Sequence, residues 1–280
     1  MIVDASVHVW SGDSSRYPWA PLDNVERPQD DRSAERLIAD LDQAGIDGAI
    51  AVQPRAYGYD HAYLADVLAR HAGRIAGICL VDPHERDAAA ALSGLARRGF
   101  RGVRLIALAD TPDRLAAPHT GAVLTQAAVL GISVSFLVDP PRLAALGGLA
   151  AQHPDTTLVV DHLGLCGATT PAPAIADLLA LASCANVHLR VSAFTELSAE
   201  GFPFPDLQPL IRDAYRAFGA KRLLWGTDYP HALAHGTYRQ SLDAMRRHMD
   251  FIAPGDLPAI LGGNAARMFH LDITSRRQGA

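Results

Sequence analysis

The sequence predicts an α/β fold, a single (β/α)8 (TIM) barrel that takes up residues 1–280 as one domain. Short apolar segments alternate with helical patterns eight times along the chain, and this alternation is typical of a parallel sheet. Glycine or proline stops many of these segments. The length of 280 residues is also close to the roughly 250 residues that such barrels commonly use as one domain. An open doubly wound sheet is the alternative, but no Gly-x-Gly-x-x-Gly turn follows the first apolar segment.

The predicted elements follow one another without a flexible linker or an internal repeat. Strands are expected at residues 2–9, 48–52, 75–81, 102–108, 132–138, 157–160, 187–191 and 222–225. The first helix is expected to start after an N-cap at Ser33 and to end at Gly45. Later helices are expected at residues 59–71, 86–98, 120–130, 141–152, 171–183, 206–218, 237–249 and 257–269. The polar segment 11–32 is long for a loop and more typical of a functional lid than of a linker.

The composition favours a small-molecule partner. Apolar residues make up 49% of the chain and charged residues 20%, and the net charge is -5, so nothing favours nucleic acid or an anionic membrane. The three cysteines are too few for a disulfide framework, which favours a reducing compartment. Met1 is not followed by a signal-peptide pattern, and no run reaches the ~18 apolar residues of a membrane span. We therefore expect a cytoplasmic protein, and the oligomeric state stays open, a homo-oligomer included.

Asp228 is the most informative single residue. It follows the apolar run 222–225 and lies between Gly226 and Pro230, so it is expected at the carboxyl end of a buried strand. A charge in that position costs several kcal/mol unless it is paired, coordinated or solvated. An Asp that caps a turn is the alternative, because Asp-x-Pro is ordinary turn chemistry.

Polar residues also occur at the ends of other predicted strands. The carboxyl ends of barrel strands form one face, so these side chains are expected to come together there. One such residue alone is more often structural, and it is their convergence that predicts a site. The residues are Asp4, Ser6, His8, Gln53, Arg55, Tyr57, Asp82, His84, Arg104, Asp161, His162, Arg190, Ser192, Asp228 and His231.

Several short motifs resemble the amidohydrolase superfamily. They are Asp-Ala-Ser-Val-His-Val-Trp at 4–10, Val-Gln-Pro at 52–54, Gly-Val-Arg at 102–104, Val-Asp-His-Leu-Gly at 160–164, Trp-Gly-Thr-Asp-Tyr-Pro-His at 225–231 and Gly-Asn-Ala-Ala-Arg at 263–267. The motifs are similar to its lactonase-like branch, which includes the pyrone-dicarboxylate, sulfomuconolactone and sugar-lactone hydrolases. The resemblance implies a hydrolase that opens a small lactone or enol-lactone ring.

The chain departs from the superfamily pattern at its usual metal ligands. Members usually begin with Asp-x-His-x-His, whereas Ser6 stands here in place of the first His, and the fifth strand offers neither His nor Lys. A catalytic zinc site generally needs three protein ligands and a water. We therefore expect no metal cofactor. The alternative is a divalent metal such as zinc, held by His8, His162 and Asp228.

The resemblance also implies roles for the site residues. Asp228 is expected to activate water as a general base, and His8 and His162 to polarise the lactone carbonyl. A guanidinium fork is expected to hold a substrate carboxylate. The expected substrate-binding residues are Gln53, Arg55, Tyr57, Arg104, Arg190 and His231.

Other activities stay open for such a barrel. One alternative is a lactone isomerase, and another is a metal-dependent decarboxylase or hydrolase of the same superfamily. A barrel that binds its ligand without catalysis is the alternative outside enzymology. No Gly-x-Ser-x-Gly elbow, His-Glu-x-x-His pair or Gly-x-x-x-x-Gly-Lys loop occurs in the sequence.

Overall fold

The chain folds as the predicted (β/α)8 barrel. The computed structural model describes residues 1–23 and 25–273, so Asn24 of the predicted loop and residues 274–280 of the predicted domain lie outside the described residues. Eight strands pair in parallel in chain order. They are β1 Val3–Val7, β2 Gly48–Val52, β3 Ile75–Leu80, β4 Phe100–Ala107, β5 Ser133–Val138, β6 Leu158–Val160, β7 Val187–Val191 and β8 Leu223–Trp225.

Helices connect the strands. They are α1 Ala34–Ala44, α2 Ala62–Arg70, α3 Ala88–Arg97, α4 Thr120–Leu130, α5 Leu143–Gln152, α6 Ala172–Ala180, α7 Phe194–Leu197, α8 Gln208–Phe218, α9 Tyr238–Arg247 and α10 Asn264–Met268. None of these helices is long and apolar enough to cross a membrane.

Local sequence signals explain where several helices begin and end. Ser33 caps α1 by accepting a hydrogen bond from the Arg36 N–H, and Gly45 ends the helix with a left-handed φ of 72°. Other helices are shorter than expected because 3₁₀ turns occupy Pro140–Arg142, Leu181–Ser183 and Pro205–Leu207. The predicted helix 257–269 is helical from residue 257 to residue 268, with a π turn at Ala259–Gly263 before α10.

The strands are buried on both faces, as the apolar runs require in a parallel sheet. One apolar core lies between the strands and the helices. A second lies inside the barrel, where Val3, Ile50 and Leu224 pack with Phe269 from the end of the chain. Burial of a side chain of this size contributes about 1.5–3 kcal/mol to folding, so this inner layer anchors the strands that carry the site.

The barrel closes where the chain continues past β8. The Asp228 N–H donates to the Ser6 carbonyl at 2.9 Å, and the His8 N–H donates to the Tyr229 carbonyl. Gly226 permits this close approach, because a Cβ there would lie 2.9 Å from the backbone nitrogen of Ser6. The bonds that close the barrel therefore also place Asp228 beside His8.

Candidate active site

The three predicted catalytic side chains meet at the carboxyl face of the barrel. The Nε2 atom of His8 lies 3.4 Å from Asp228 Oδ1, and the Nε2 atom of His162 lies 3.6 Å from the same oxygen. All three side chains are largely buried. The backbones of Asp228 and His162 are left-handed, with φ of 69° and 51°, and this turns each residue out of its strand direction.

Hydrogen bonds on the far side of each ring fix its orientation. His8 Nδ1 lies 2.9 Å from the Val52 carbonyl oxygen, and because a carbonyl only accepts, Nδ1 donates this bond. His162 Nδ1 lies 2.8 Å from the Ser192 hydroxyl, which can donate to it. The Nε2 atoms are therefore left for Asp228 and for a ligand.

The site holds an ionised carboxylate next to a neutral imidazole at neutral pH. Burial would raise the pKa of Asp228, but the electrostatic interactions with His162 and His8 and the hydrogen bond from His8 outweigh it and hold that pKa well below its usual range. Burial lowers the pKa of His162 to about 4, although the charge of Asp228 opposes this shift. Asp228 is therefore available to accept a proton, and His162 is available as an uncharged hydrogen-bond donor.

These side chains line a cavity of about 380 Å³. The predicted loop 11–32 forms part of its wall through Val25, Glu26 and Pro28. The ring of His231 also lies in the wall, with its centroid 5.6 Å from that of His8. The ionisable lining residues are His8, Glu26, Arg55, Arg104, His162, Glu196, Asp228 and His231.

Two of the three predicted arginines lie at this cavity, and the third lies beneath it. Arg190 is completely buried and forms an ion pair with Asp161. The Nε of Arg104 lies 2.7 Å from the second oxygen of Asp161, but Arg104 also lines the cavity. Arg55 lines the cavity and lies 3.6 Å from the Asp23 carboxylate. Arg55 and Arg104 therefore reach the cavity wall, whereas Arg190 is enclosed with Asp161.

The family of the chain follows from a match along almost its whole length. The family model described as Amidohydrolase matches residues 3–271. The chain belongs to the amidohydrolase family. This amidohydrolase is 32% identical to L-fucono-1,5-lactonase of Burkholderia ambifaria over 296 residues, which cover 99% of the chain and 98% of that relative.

A second relative and a solved structure extend the comparison. The amidohydrolase is 27% identical to 4-sulfomuconolactone hydrolase of Rhizobium radiobacter over 242 residues, which cover 82% of this chain and 75% of the relative. The crystal structure of a probable 2-pyrone-4,6-dicarboxylic acid hydrolase from Acinetobacter baumannii has the same fold, with a TM-score of 0.79 and 23% identity. That likeness covers 96% of this chain and 99% of the other.

Ser6 of this amidohydrolase stands where the superfamily pattern has a metal-binding His. Within residues 1–23 and 25–273, no three His, Cys, Asp or Glu side chains are placed to hold a metal ion. Ser6 lies on β1 facing the site, and its hydroxyl is 3.5 Å from Asp228 Oδ1. A neutral hydroxyl is a poor ligand for a divalent metal.

Two other predicted substrate-binding residues support the wall of the site from behind. Gln53 donates its side-chain amide to the carbonyls of Gly58 and Asp60, at 3.2 and 2.7 Å. The ring of Tyr57 stacks on Trp19 with centroids 4.5 Å apart. Neither side chain is among the described residues that line the cavity. Both instead hold the chain that follows β2 in place.

The sequence analysis missed Glu196, which lines the amidohydrolase cavity. It lies on α7, a helix of four residues that is too short to give a periodic apolar pattern. Its position in the chain could have identified Glu196 as a candidate site residue, because it follows Arg190 and Ser192 at the end of the seventh strand.

Proposed function

We propose that this amidohydrolase hydrolyses the ester bond of a small lactone. The observation that carries the proposal is that the Nε2 atoms of His8 and His162 both lie close to Oδ1 of Asp228, and that all three side chains line one cavity. The activity named for the two relatives, lactone hydrolysis, is a reaction that such a group of side chains can perform. A lactone is an activated ester, so its hydrolysis does not require a Lewis acid.

In the proposed reaction, Asp228 takes a proton from a water molecule. The water oxygen attacks the lactone carbonyl carbon, and negative charge develops on the carbonyl oxygen. His162 can donate its Nε2–H to that oxygen when the Ser192 hydroxyl donates to Nδ1 and fixes this tautomer. Cleavage of the ring C–O bond then gives a hydroxy acid.

The proposed mechanism must also account for the strength of the base. A carboxylate whose pKa lies well below its usual range is ionised but weakly basic, and a general base works best with a pKa near the operating pH. A lactone that fills the cavity excludes all water from Asp228 except the attacking molecule, and loss of solvation raises the pKa of a carboxylate. Substrate binding is therefore part of how the base becomes effective.

A product assay tests the proposed activity. The purified protein is incubated with five- and six-membered saturated lactones and enol-lactones, and the products are identified by NMR. We expect the ring-opened acid. A rearranged lactone would instead indicate an isomerase, and carbon dioxide from an aromatic acid would indicate a decarboxylase. Tight binding of a lactone without turnover would indicate a binding protein.

We also propose that turnover needs no divalent metal, because Ser6 replaces a usual ligand and is itself a poor one. The test is chelation, followed by metal analysis and assay. Activity should persist after chelation, whereas loss of activity that zinc or manganese restores would contradict this proposal. Ser6→His should raise zinc affinity, measured by equilibrium dialysis, because it gives β1 two histidines on one face.

The substrate is further proposed to carry an anionic group, because Arg55 and Arg104 lie in the cavity wall. A charge-assisted contact is worth about 1.5–3 kcal/mol, so Arg55→Ala or Arg104→Ala should lower kcat/KM more than tenfold for a carboxylated lactone. The loss should be much smaller for a neutral lactone of the same ring size. Arg16→Ala is the matched control, because Arg16 pairs with Asp66 outside this cavity. Equal losses on the two lactones would contradict anion recognition.

A further inference from the structure

Glu196 places a second carboxyl group in the cavity that contains Asp228. The residue lies on α7, which follows the carboxyl end of β7 after a reversal at Ala193, whose φ is 60°. Helix α7 packs against the turn His231–Ala234, which follows Asp228 in the chain. Glu196, His231 and Asp228 all line the cavity, so the ends of strands seven and eight each contribute one carboxyl group.

The two carboxyl groups have different surroundings. Glu196 is exposed overall, but partial burial of its carboxyl group raises its pKa, and the charge of Asp228 raises it further, while His231 lowers it. The net pKa of Glu196 is raised, whereas that of Asp228 is lowered. When the pKa values of two carboxyl groups in one site are shifted in opposite directions, the group with the raised pKa is the better acid and the group with the lowered pKa is the more readily ionised one.

We propose that Glu196 is a further catalytic residue, the acid that protonates the departing ring oxygen of the substrate. The proposal rests on the proposed lactone hydrolysis. Water gives one proton to Asp228 and its oxygen forms a bond to the carbonyl carbon. The ring C–O bond then breaks, and its electron pair takes the proton of Glu196. The product is a hydroxy acid, and Glu196 is left ionised.

His231 is placed to reset the site after each turnover. Its pKa is lowered by burial and by the charge of His8, and it is raised by the charges of Asp228 and Glu196, with the net pKa lowered. A neutral imidazole in the same wall can take the proton from Asp228 and pass it to Glu196. Both carboxyl groups then return to their starting states, and the net reaction consumes one water.

The leaving group decides when this acid is needed. A saturated lactone expels an alkoxide, which is strongly basic and must be protonated as the bond breaks. An enol-lactone expels an enolate, whose charge is delocalised and which leaves without help. General acid catalysis typically contributes about 10²–10⁴-fold to a rate. The contribution of Glu196 should therefore appear with saturated lactones and be nearly absent with enol-lactones.

The test is Glu196→Gln, which keeps the size of the side chain and removes its acid. We expect kcat for a saturated lactone to fall by about 10²-fold or more, and kcat for an enol-lactone to fall by less than about threefold. The alkaline limb of the pH profile should disappear only with the saturated lactone. Glu200→Gln is the matched control, because Glu200 is exposed on the same connection. Equal losses on both lactones, or no loss on either, would overturn the proposal.

A measurement on the protein alone separates this proposal from the proposed function. The carboxyl group of Glu196 is titrated by ¹³C NMR in the wild type and in Asp228→Asn. Loss of the negative charge of Asp228 should lower the pKa of Glu196, because Asp228 raises it in the wild type. An unchanged pKa would overturn the assignment whether or not any lactone is hydrolysed. A wild-type protein that opens no lactone, with the pKa of Glu196 lowered in Asp228→Asn as expected, would contradict only the proposed function.

Discussion

Asp4 and Asp228 are two buried carboxylates held by the same residue of β1. The Ser6 N–H donates to Asp4 Oδ1, and the Ser6 carbonyl accepts from the Asp228 N–H. Their surroundings nevertheless differ. Asp4 accepts further hydrogen bonds from Thr227 and from the Tyr238 hydroxyl, all of them neutral donors. Asp228 faces imidazoles and a cavity.

The difference shows that neutral hydrogen bonds do not fully offset the rise in the pKa of a carboxyl group on burial, whereas the two histidines do. Burial raises the pKa of Asp4 to about 6 despite hydrogen bonds from Thr227, Tyr238 and Ser6 that lower it. At Asp228 the histidines outweigh burial, and the pKa is lowered. Asp4 is therefore a structural group that joins β1 to the chain after β8, and Asp228 is kept ionised at the cavity.

The largest effect expected from this comparison is on turnover in Asp228→Asn. The variant keeps the shape of the side chain but cannot take a proton, so kcat should fall by about 10²–10⁴-fold. Asn tolerates the left-handed φ of 69° at this position, but the free energy of unfolding at neutral pH should also fall, because Asn cannot supply the stability that the lowered pKa of Asp228 gives. Lactone kinetics and urea unfolding measure the two quantities. Near-normal turnover would contradict the base role of Asp228 and transfer it to His162.

The next effect is on the pH dependence of stability in Asp4→Asn. Between about pH 4 and 6 the folded wild type keeps a proton on Asp4 that the unfolded chain releases, because the folded pKa is about 6 and the ordinary value 3.8. The contribution of Asp4 to the free energy of unfolding therefore falls as the pH rises through this window, by on the order of 3 kcal/mol. The variant lacks this contribution.

Urea unfolding of both proteins at pH 4 and pH 7 measures the Asp4 contribution. We expect the stability advantage of the wild type over Asp4→Asn to shrink by about 3 kcal/mol between the two pH values. Asp228 serves as the internal contrast. Its lowered pKa gives stability that is lost as the pH falls below the ordinary carboxyl range, which is the opposite direction. A constant difference between wild type and variant would mean that Asp4 is ionised across the whole window.

The sequence was sufficient for the barrel and for the three central residues, because strand ends are visible as apolar runs followed by polar residues. It was not sufficient for Arg190. In the sequence, Arg104 of strand four and Arg190 of strand seven are equally good candidates for binding a substrate. Only the packing shows that Asp161 contacts both guanidinium groups. Arg190 is completely buried as a result, and Arg104 retains a position in the cavity wall.

The residues around the cavity were less predictable than its centre. Gln53 and Tyr57 lie in the expected connection, but hydrogen bonding and ring stacking turn them into support for the wall. Such contacts depend on partners that are close in space, and the chain order of polar residues does not specify which way each side chain turns. Glu196 was missed for the complementary reason, because a helix of four residues has no periodic pattern.

The smallest effect is expected at Ser6, which contacts both carboxylates. Its hydroxyl lies 3.5 Å from Asp228 Oδ1, at the limit of a hydrogen bond and without a charge, whereas the two histidines carry the interactions that keep Asp228 ionised. The hydrogen bond to Asp4 comes from the backbone N–H and survives a side-chain change. Ser6→Ala should therefore lower kcat by less than about tenfold, which corresponds to no more than about 1.4 kcal/mol. The pH dependence of unfolding should stay that of the wild type. A loss of kcat comparable to that of Asp228→Asn would show that the hydroxyl, and not the histidines, keeps Asp228 in its reactive state.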